Sequence, residues 1–314
     1  MKKLFKALKK ACCVLLCLGF VSFFAAGNFI FSFTLLRESV FSRENVISLF
    51  NNGKKETSPT GQTWLEKNSK NLYLVSDDSV KLHALFSENN GSKKYAVFCH
   101  GYTGSAANSS KYARRFFEMG YNVLAVDARA HGESGGNIRG MGYLERRDII
   151  LWVKEIQKLE PSAQVVLFGV SMGGATVLFS SGEGDLPSCV KAVISDCAFT
   201  SVYDAVAVQF TAISGLPPFP LVDCASVVCE IRGNYSFSDA SCVEAVKKSR
   251  TPTLFIHGTE DKTVPFYMLD EIFVAAECEK EKLVVEGAGH GQSESKKQKL
   301  YWETVEAFLR KHLD

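Results

Sequence analysis

From Lys94 onward, short apolar runs alternate with helix-like stretches, and this alternation limits the possible folds more than any other feature of the chain. "YAVFC" leads to "SSKYARRFFEMG", "YNVLAVD" to "LERRDIILWVKEIQKLE", and "QVVLFG" through a serine to "GGATVLFS". "KAVISD" precedes a longer helical insertion, "TPTLFIHG" precedes "PFYMLDEIFVAA", and "KLVVEG" precedes "QKLYWETVEAFLRKHL". Continuous apolar strands separated by helices suit a mostly parallel sheet covered on both faces. Two extended segments, "NLYLVSDDSVKLHALFS", joined at Asp77 and Asp78, stand in front of this pattern. A chain of 314 residues accommodates one such domain and an additional segment.

The additional segment is N-terminal. Five lysines and no acid occupy "MKKLFKALKK", and the 26 residues from Ala11 to Leu36 carry no charge. About 20 apolar residues suffice to cross a bilayer, and the lysines keep the preceding flank on the cytoplasmic side. The expectation is a signal anchor in residues 1–36, with the lipid bilayer as its partner. A tether at 37–62 and a single globular domain at 63–314 then lie outside the cytoplasm, held at the cell membrane by one pass. The competing reading is secretion after signal-peptide cleavage, with Ala25 and Gly27 as the small residues before the cut.

Without those five lysines, 31 basic residues face 34 acidic ones, and the charges are dispersed. That distribution carries no nucleic-acid footprint. Of ten cysteines, Cys12, Cys13 and Cys17 fall in the apolar run, and the other seven show no metal-ligand spacing and specify no disulfide pairing.

"FGVSMGG" places Ser171 on a turn between an apolar run and a small-residue helix. A nucleophile on so tight a turn needs small neighbours, here Gly169 and Gly173, and the following helix directs its positive end at charge developing on an attacked carbonyl. Of the six histidines, His290 in "GAGHGQS" lies on a glycine-rich loop after a late strand, where an imidazole can bend over the serine. The carboxylate that orients it is expected between the two, in "HGTEDKTVP". Asp261 is the choice over Glu260 for its shorter side chain, with Asp196 in reserve. Backbone N–H groups of Met172 and of Tyr102, in "HGYTG", are the expected oxyanion donors. His100 is read as a brace for that loop.

"HGYTG", "DARAHGES", "GVSMGG", "HGTEDKTVP" and "GAGH", in this order from residue 100 to 290, resemble the serine α/β-hydrolase superfamily. The likeness is greatest to its membrane-anchored bacterial members, whose core is similar to that of serine aminopeptidases and prolyl-oligopeptidase-type hydrolases. The resemblance implies an α/β-hydrolase fold, a mostly parallel eight-stranded sheet with helices on both faces and a small helical cap. It implies Ser171 as nucleophile, Asp261 as acid and His290 as base, and it usually has glycine where this chain has Ala130.

A cap is expected at about 198–250, an apolar insertion broken by "GLPPFP". Phe199, Tyr203, Phe210, Leu216 and Phe219 are its candidate pocket residues, although a cap must also bury its own underside. The expected function is cleavage of a carboxylic ester or related acyl substrate, small or lipid-like, through an acyl-enzyme. Serine peptidase or thioesterase activity, or a non-catalytic membrane-held binding role, are the alternatives. No cofactor or metal is expected, since the chain has no HExxH and no phosphate-binding glycine loop.

Overall fold

A computed structural model describes residues 2–39 and 63–313. Strands β1 (Lys70–Val75), β2 (Lys81–Ser87), β3 (Lys94–Cys99), β4 (Asn122–Asp127), β5 (Gln164–Val170), β6 (Val190–Asp196), β7 (Thr253–Gly258) and β8 (Lys280–Val285) form one sheet. Its order is β1-β2-β4-β3-β5-β6-β7-β8. β2 pairs antiparallel with β1 and β4, and every other neighbouring pair is parallel. This is the α/β-hydrolase fold. Parallel strands need crossovers, and the helices that supply them cover both faces.

The pleat divides the core in two. Val97, Cys99, Val165 and Leu167 face one layer. It includes α4 (Glu145–Leu159), α5 (Met172–Ser181) and α9 (Tyr267–Ala275). Ala96, Phe98, Val166 and Phe168 face the other, with Phe116 of α3 (Ser110–Glu118) and Tyr301 and Phe308 of α11 (Gln298–Leu313). Alternate residues of one strand therefore belong to different layers, as a doubly covered sheet requires. The insertion after β6 folds as α6 (Val202–Ser214), α7 (Leu221–Gly233) and α8 (Cys242–Lys248). The short α2 (Trp64–Asn68) starts at a Thr63–Glu66 capping box, and α10 (Ser293–Lys296) precedes α11.

The expected membrane anchor is corrected by the structure. Among the described residues no helix is long and apolar enough to cross a membrane. The bilayer as partner, the single-pass membrane location and the likeness to membrane-anchored members fall with it. The apolar run lies in α1 (Lys2–Leu35), whose last turns pack on protein. Ile30, Phe31, Leu35 and Leu36 are buried in the same core as the sheet and the cap. Gly27 meets the backbone of Cys224 on α7 so closely that a Cβ there would lie 2.7 Å from the carbonyl carbon. Beyond the helix, Leu36 bridges Ile138, Arg139 N donates to Leu35 O at 2.8 Å, and the Arg37 guanidinium donates to Ser134 O and Gly132 O. Buried positions 27, 30, 31 and 35 recur at helical spacing while Phe23, Phe24 and Phe29 are exposed. One stripe of the run is thus a contact face for the domain. Of the tether expected at 37–62, residues 40–62 lie outside the described residues.

Candidate active site

Ser171 sits between β5 and α5 with φ 57° and ψ −119°, a backbone conformation unusual for any residue with a side chain. The surroundings hold it there. Ser171 N donates to Asp196 O at 2.8 Å, and Ala175 N to Ser171 O at 2.9 Å. A Cβ on Gly169 would stand 2.0 Å from Gly173 O, and one on Gly173 would stand 2.0 Å from Cys99 O. Strand, turn and helix therefore touch backbone to backbone, and glycine is what the elbow requires.

Two loops beyond the sheet's carboxyl edge complete the site. Asp261 follows β7, and its Oδ1 accepts from the N–H groups of Thr263 and Val264, both at 2.9 Å. His290 follows β8, with Nδ1 2.7 Å from Asp261 Oδ2 and Nε2 2.8 Å from Ser171 Oγ. Since the carboxylate accepts, Nδ1 carries the proton and Nε2 is free to take one from the hydroxyl. Burial alone raises the Asp261 carboxyl, but hydrogen bonds from His257 and His290 outweigh it and hold it well below the usual carboxylate range. Asp261 is buried, whereas Ser171 and His290 are partly open to solvent.

The other sequence candidates are distributed as follows. Glu260 is exposed. Asp196 is buried away from His290's ring nitrogens, accepting from Ser293 Oγ at 3.2 Å and Tyr301 OH at 3.1 Å, and burial pushes its carboxyl up to about 6. Met172 opens α5, so its N–H is one of those without an intrahelical acceptor. A Cβ on Gly101 would lie 3.6 Å from Ser171 Cβ, which puts the Tyr102 loop beside the serine. His100 braces that loop, with Nδ1 donating to Gly101 O and Nε2 accepting from Ala128 N. Thr103 N donates to His131 Nε2, and Ala106 N to Asp127 Oδ1. Ala130, where the resemblance leads to glycine, has φ 58°, the left-handed region glycine favours.

The five cap candidates differ in burial. Phe199 is buried in the core, Tyr203 OH donates to Asp223 at 3.2 Å, and Phe210 is half-buried. Leu216 and Phe219 are 51% and 71% exposed.

Sequence reasoning assigned no role to two contacts. His257 Nε2 lies 3.2 Å from Asp261 Oδ2, although "FIHG" reads as the end of an apolar strand. Tyr102 OH donates to Thr34 O, which ties the loop beside the serine to the last turn of α1. Nothing local announces either partner, four residues on for His257 and 68 residues back for Tyr102. Cys99, Cys189, Cys197, Cys224, Cys229, Cys242 and Cys278 are all free thiols. One grouping among the described residues has metal-ligand spacing, Cys197 with Asp261 and His290, and the latter two already bond one another.

Sheet order, elbow and hydrogen-bonded Ser–His–Asp chain define a serine hydrolase of the α/β type. Residues 91–215 match the family model described as serine aminopeptidase, S33. The chain belongs to the family of YqkD from Bacillus subtilis, to which it is 30% identical over 214 residues, 68% of this chain and 70% of that one. Among solved structures, it is similar to the Pyrococcus furiosus esterase Pf2001, with a TM-score of 0.66 at 23% identity over 82% of this chain and 97% of that one. It is also similar to Est1E of Butyrivibrio proteoclasticus, solved with ferulic acid bound, with a TM-score of 0.58 at 20% identity over 77% and 99% of the two chains. At these identities the structural likeness concerns the fold.

Proposed function

We propose that this hydrolase cleaves carboxylic esters of small or lipid-like acyl groups through an acyl-enzyme on Ser171. The observation that carries the reading is the continuous hydrogen-bonded path from Ser171 Oγ through His290 to Asp261, at 2.8 and 2.7 Å. Ser171 Oγ attacks the ester carbonyl as His290 Nε2 takes its proton, and Asp261 holds the imidazole in the tautomer that permits this. The N–H groups of Met172 and Tyr102 stabilise the oxyanion. His290 then returns the proton to the departing alcohol oxygen. A water, deprotonated by the same nitrogen, attacks the acyl-enzyme, and His290 passes that proton to Ser171 Oγ as the Oγ–acyl bond breaks and the acid leaves. The likeness to the Pyrococcus furiosus esterase supports ester over amide chemistry. The match to the serine aminopeptidase model favours aminoacyl amides as the second substrate class.

The test is a fluorophosphonate incubation read by peptide mass, with rate measurements on short 4-nitrophenyl esters and aminoacyl amides. The label is expected on Ser171, and Ser171→Ala should lower ester turnover at least about 10⁴-fold. A folded protein that hydrolyses neither class and never labels at Ser171 overturns the reading. Amide turnover exceeding ester turnover replaces the substrate class and leaves the mechanism.

A further inference from the structure

The end of β7 presents an imidazole that the acyl-transfer scheme leaves unused. His257 is 1% exposed, with Nε2 3.0 Å from Val264 O and 3.2 Å from Asp261 Oδ2. A carbonyl and an ionised carboxylate can only accept, so the proton is on Nε2, hydrogen-bonded to Val264 O with the Asp261 carboxylate beside it. Nδ1 is then a bare acceptor, and it is buried with no hydrogen-bond partner among the described residues. Such a nitrogen weighs against the fold, and an apolar ring of similar size would avoid it. What an apolar ring would not supply is a polarised Nε2–H group 3.2 Å from Asp261 Oδ2.

We propose that His257 is a positioning residue for the catalytic acid: it holds the Asp261 carboxylate from a second side and limits how much of the charge on Oδ2 is spent on His290. The proposal rests on the acyl-transfer reading above. Asp261 Oδ1 is already fixed by two backbone N–H groups, so Oδ2 is the oxygen whose electron density the two imidazoles divide. The other groups around this point are Asp196 at the end of β6, which interacts electrostatically with both histidines, and the Cys197 thiol, within 4.8 Å of the ligand atoms of Asp261 and His290. The Phe266 ring meets His257 edge-on at 6.1 Å and carries no charge.

Removing the His257 donor leaves more negative charge on Oδ2 facing His290. The imidazolium then persists to higher pH, and the neutral base needed for attack is reached later. Position and charge thus make separate demands on an experiment, which compares His257→Leu with His257→Gln in the full chain on a short 4-nitrophenyl ester. In His257→Leu, the acidic limb of kcat/KM should move up by about half to one pH unit, with kcat falling roughly tenfold and KM unchanged. His257→Gln, whose amide N–H reaches about as far as Nε2, should restore the limb. If the leucine protein does not fold, His257→Asn, whose amide is too short, takes its place. A limb that stays fixed in the donor-less variant, or a glutamine variant that behaves like leucine, overturns the assignment. Fluorophosphonate labelling of wild type on Ser171 is run alongside. If wild type labels and the limb does not move, only the role of His257 falls, whereas loss of labelling removes the acyl-transfer reading itself.

Discussion

The elbow at Ser171 and the end of α1 lie on two sides of the Tyr102 loop, and different physics holds each in place. At the elbow, backbone meets backbone, and the hypothetical Cβ atoms of Gly169 and Gly173 would stand 2.0 Å from carbonyl oxygens. At α1, side chains fill a space against the cap, with Phe31 fully buried and the Arg232 guanidinium 4.7 Å from its ring centre. A backbone contact has no rotamer to relax into, whereas a packed side chain can shrink and leave a cavity whose cost is finite. The elbow should therefore fail abruptly and α1 by degrees.

The largest effect is expected from Gly173→Ala. The added methyl collides with Cys99 O and His100 O, so strand β3 or helix α5 must move and Ser171 with it. Ester turnover should fall at least about 10³-fold, and labelling of Ser171 should fall in parallel. Near-normal labelling would show that the elbow bends as readily as a side-chain contact. Phe31→Ala comes next. It should cost about 3–5 kcal/mol in a denaturant titration, while the folded protein labels within about threefold of the wild-type rate. A large loss of labelling at full stability would merge the two regions, with α1 acting on the site through Thr34 and Tyr102.

The smallest effect concerns pH, and it sharpens the comparison on the elbow side, where Asp196 O anchors Ser171 N. Burial pushes the folded Asp196 carboxyl up to about 6, against 3.8 for the free group. Between those values the folded state binds more protons than the unfolded one, so this residue's contribution to stability falls as pH rises from about 4 to 6. The change is on the order of 3 kcal/mol. In Asp196→Asn that decline should vanish. Urea midpoints measured for both proteins at pH 4 and pH 6.5 check it, and parallel curves would show that the carboxyl does not hold its proton in the fold.

The two regions also differ in how far the sequence discloses them. An elbow is a local event, so glycines two residues either side of Ser171, after an apolar run and before a helix, announce it without help from the rest of the chain. The alternation of strands and helices discloses the sheet for the same reason. Asp261 and His290 can be picked out because each lies on a loop directly after a strand, and the structure brings both to Ser171. The run from Ala11 to Leu36 is different, because apolar residues look alike whether their partner is lipid or protein. What distinguishes them here is position 27, where only a glycine lets α7 approach, and the stripe it shares with Ile30, Phe31 and Leu35. His257 is hidden by a similar degeneracy. A single polar residue at the end of a buried strand gives no sign of whether its ring nitrogens meet a carbonyl, a carboxylate or nothing. In the cap, apolar composition does not distinguish Phe199, which is buried, from Leu216 and Phe219, which stand in solvent.

The docking of α1 also bears on the order in which the molecule is made. The ribosome delivers this helix well before the residues it settles against: Tyr102, then Ile138 and Arg139, and then α7 beginning at Leu221. While those are still untranslated, Ile30, Phe31 and Leu35 have no native surface to cover them. Contacts this distant along the chain form late and leave apolar side chains open to other encounters in the interval. Until α7 emerges, α1 therefore carries an uncovered apolar stripe, and a holding chaperone that shields it would lower the chance of aggregation.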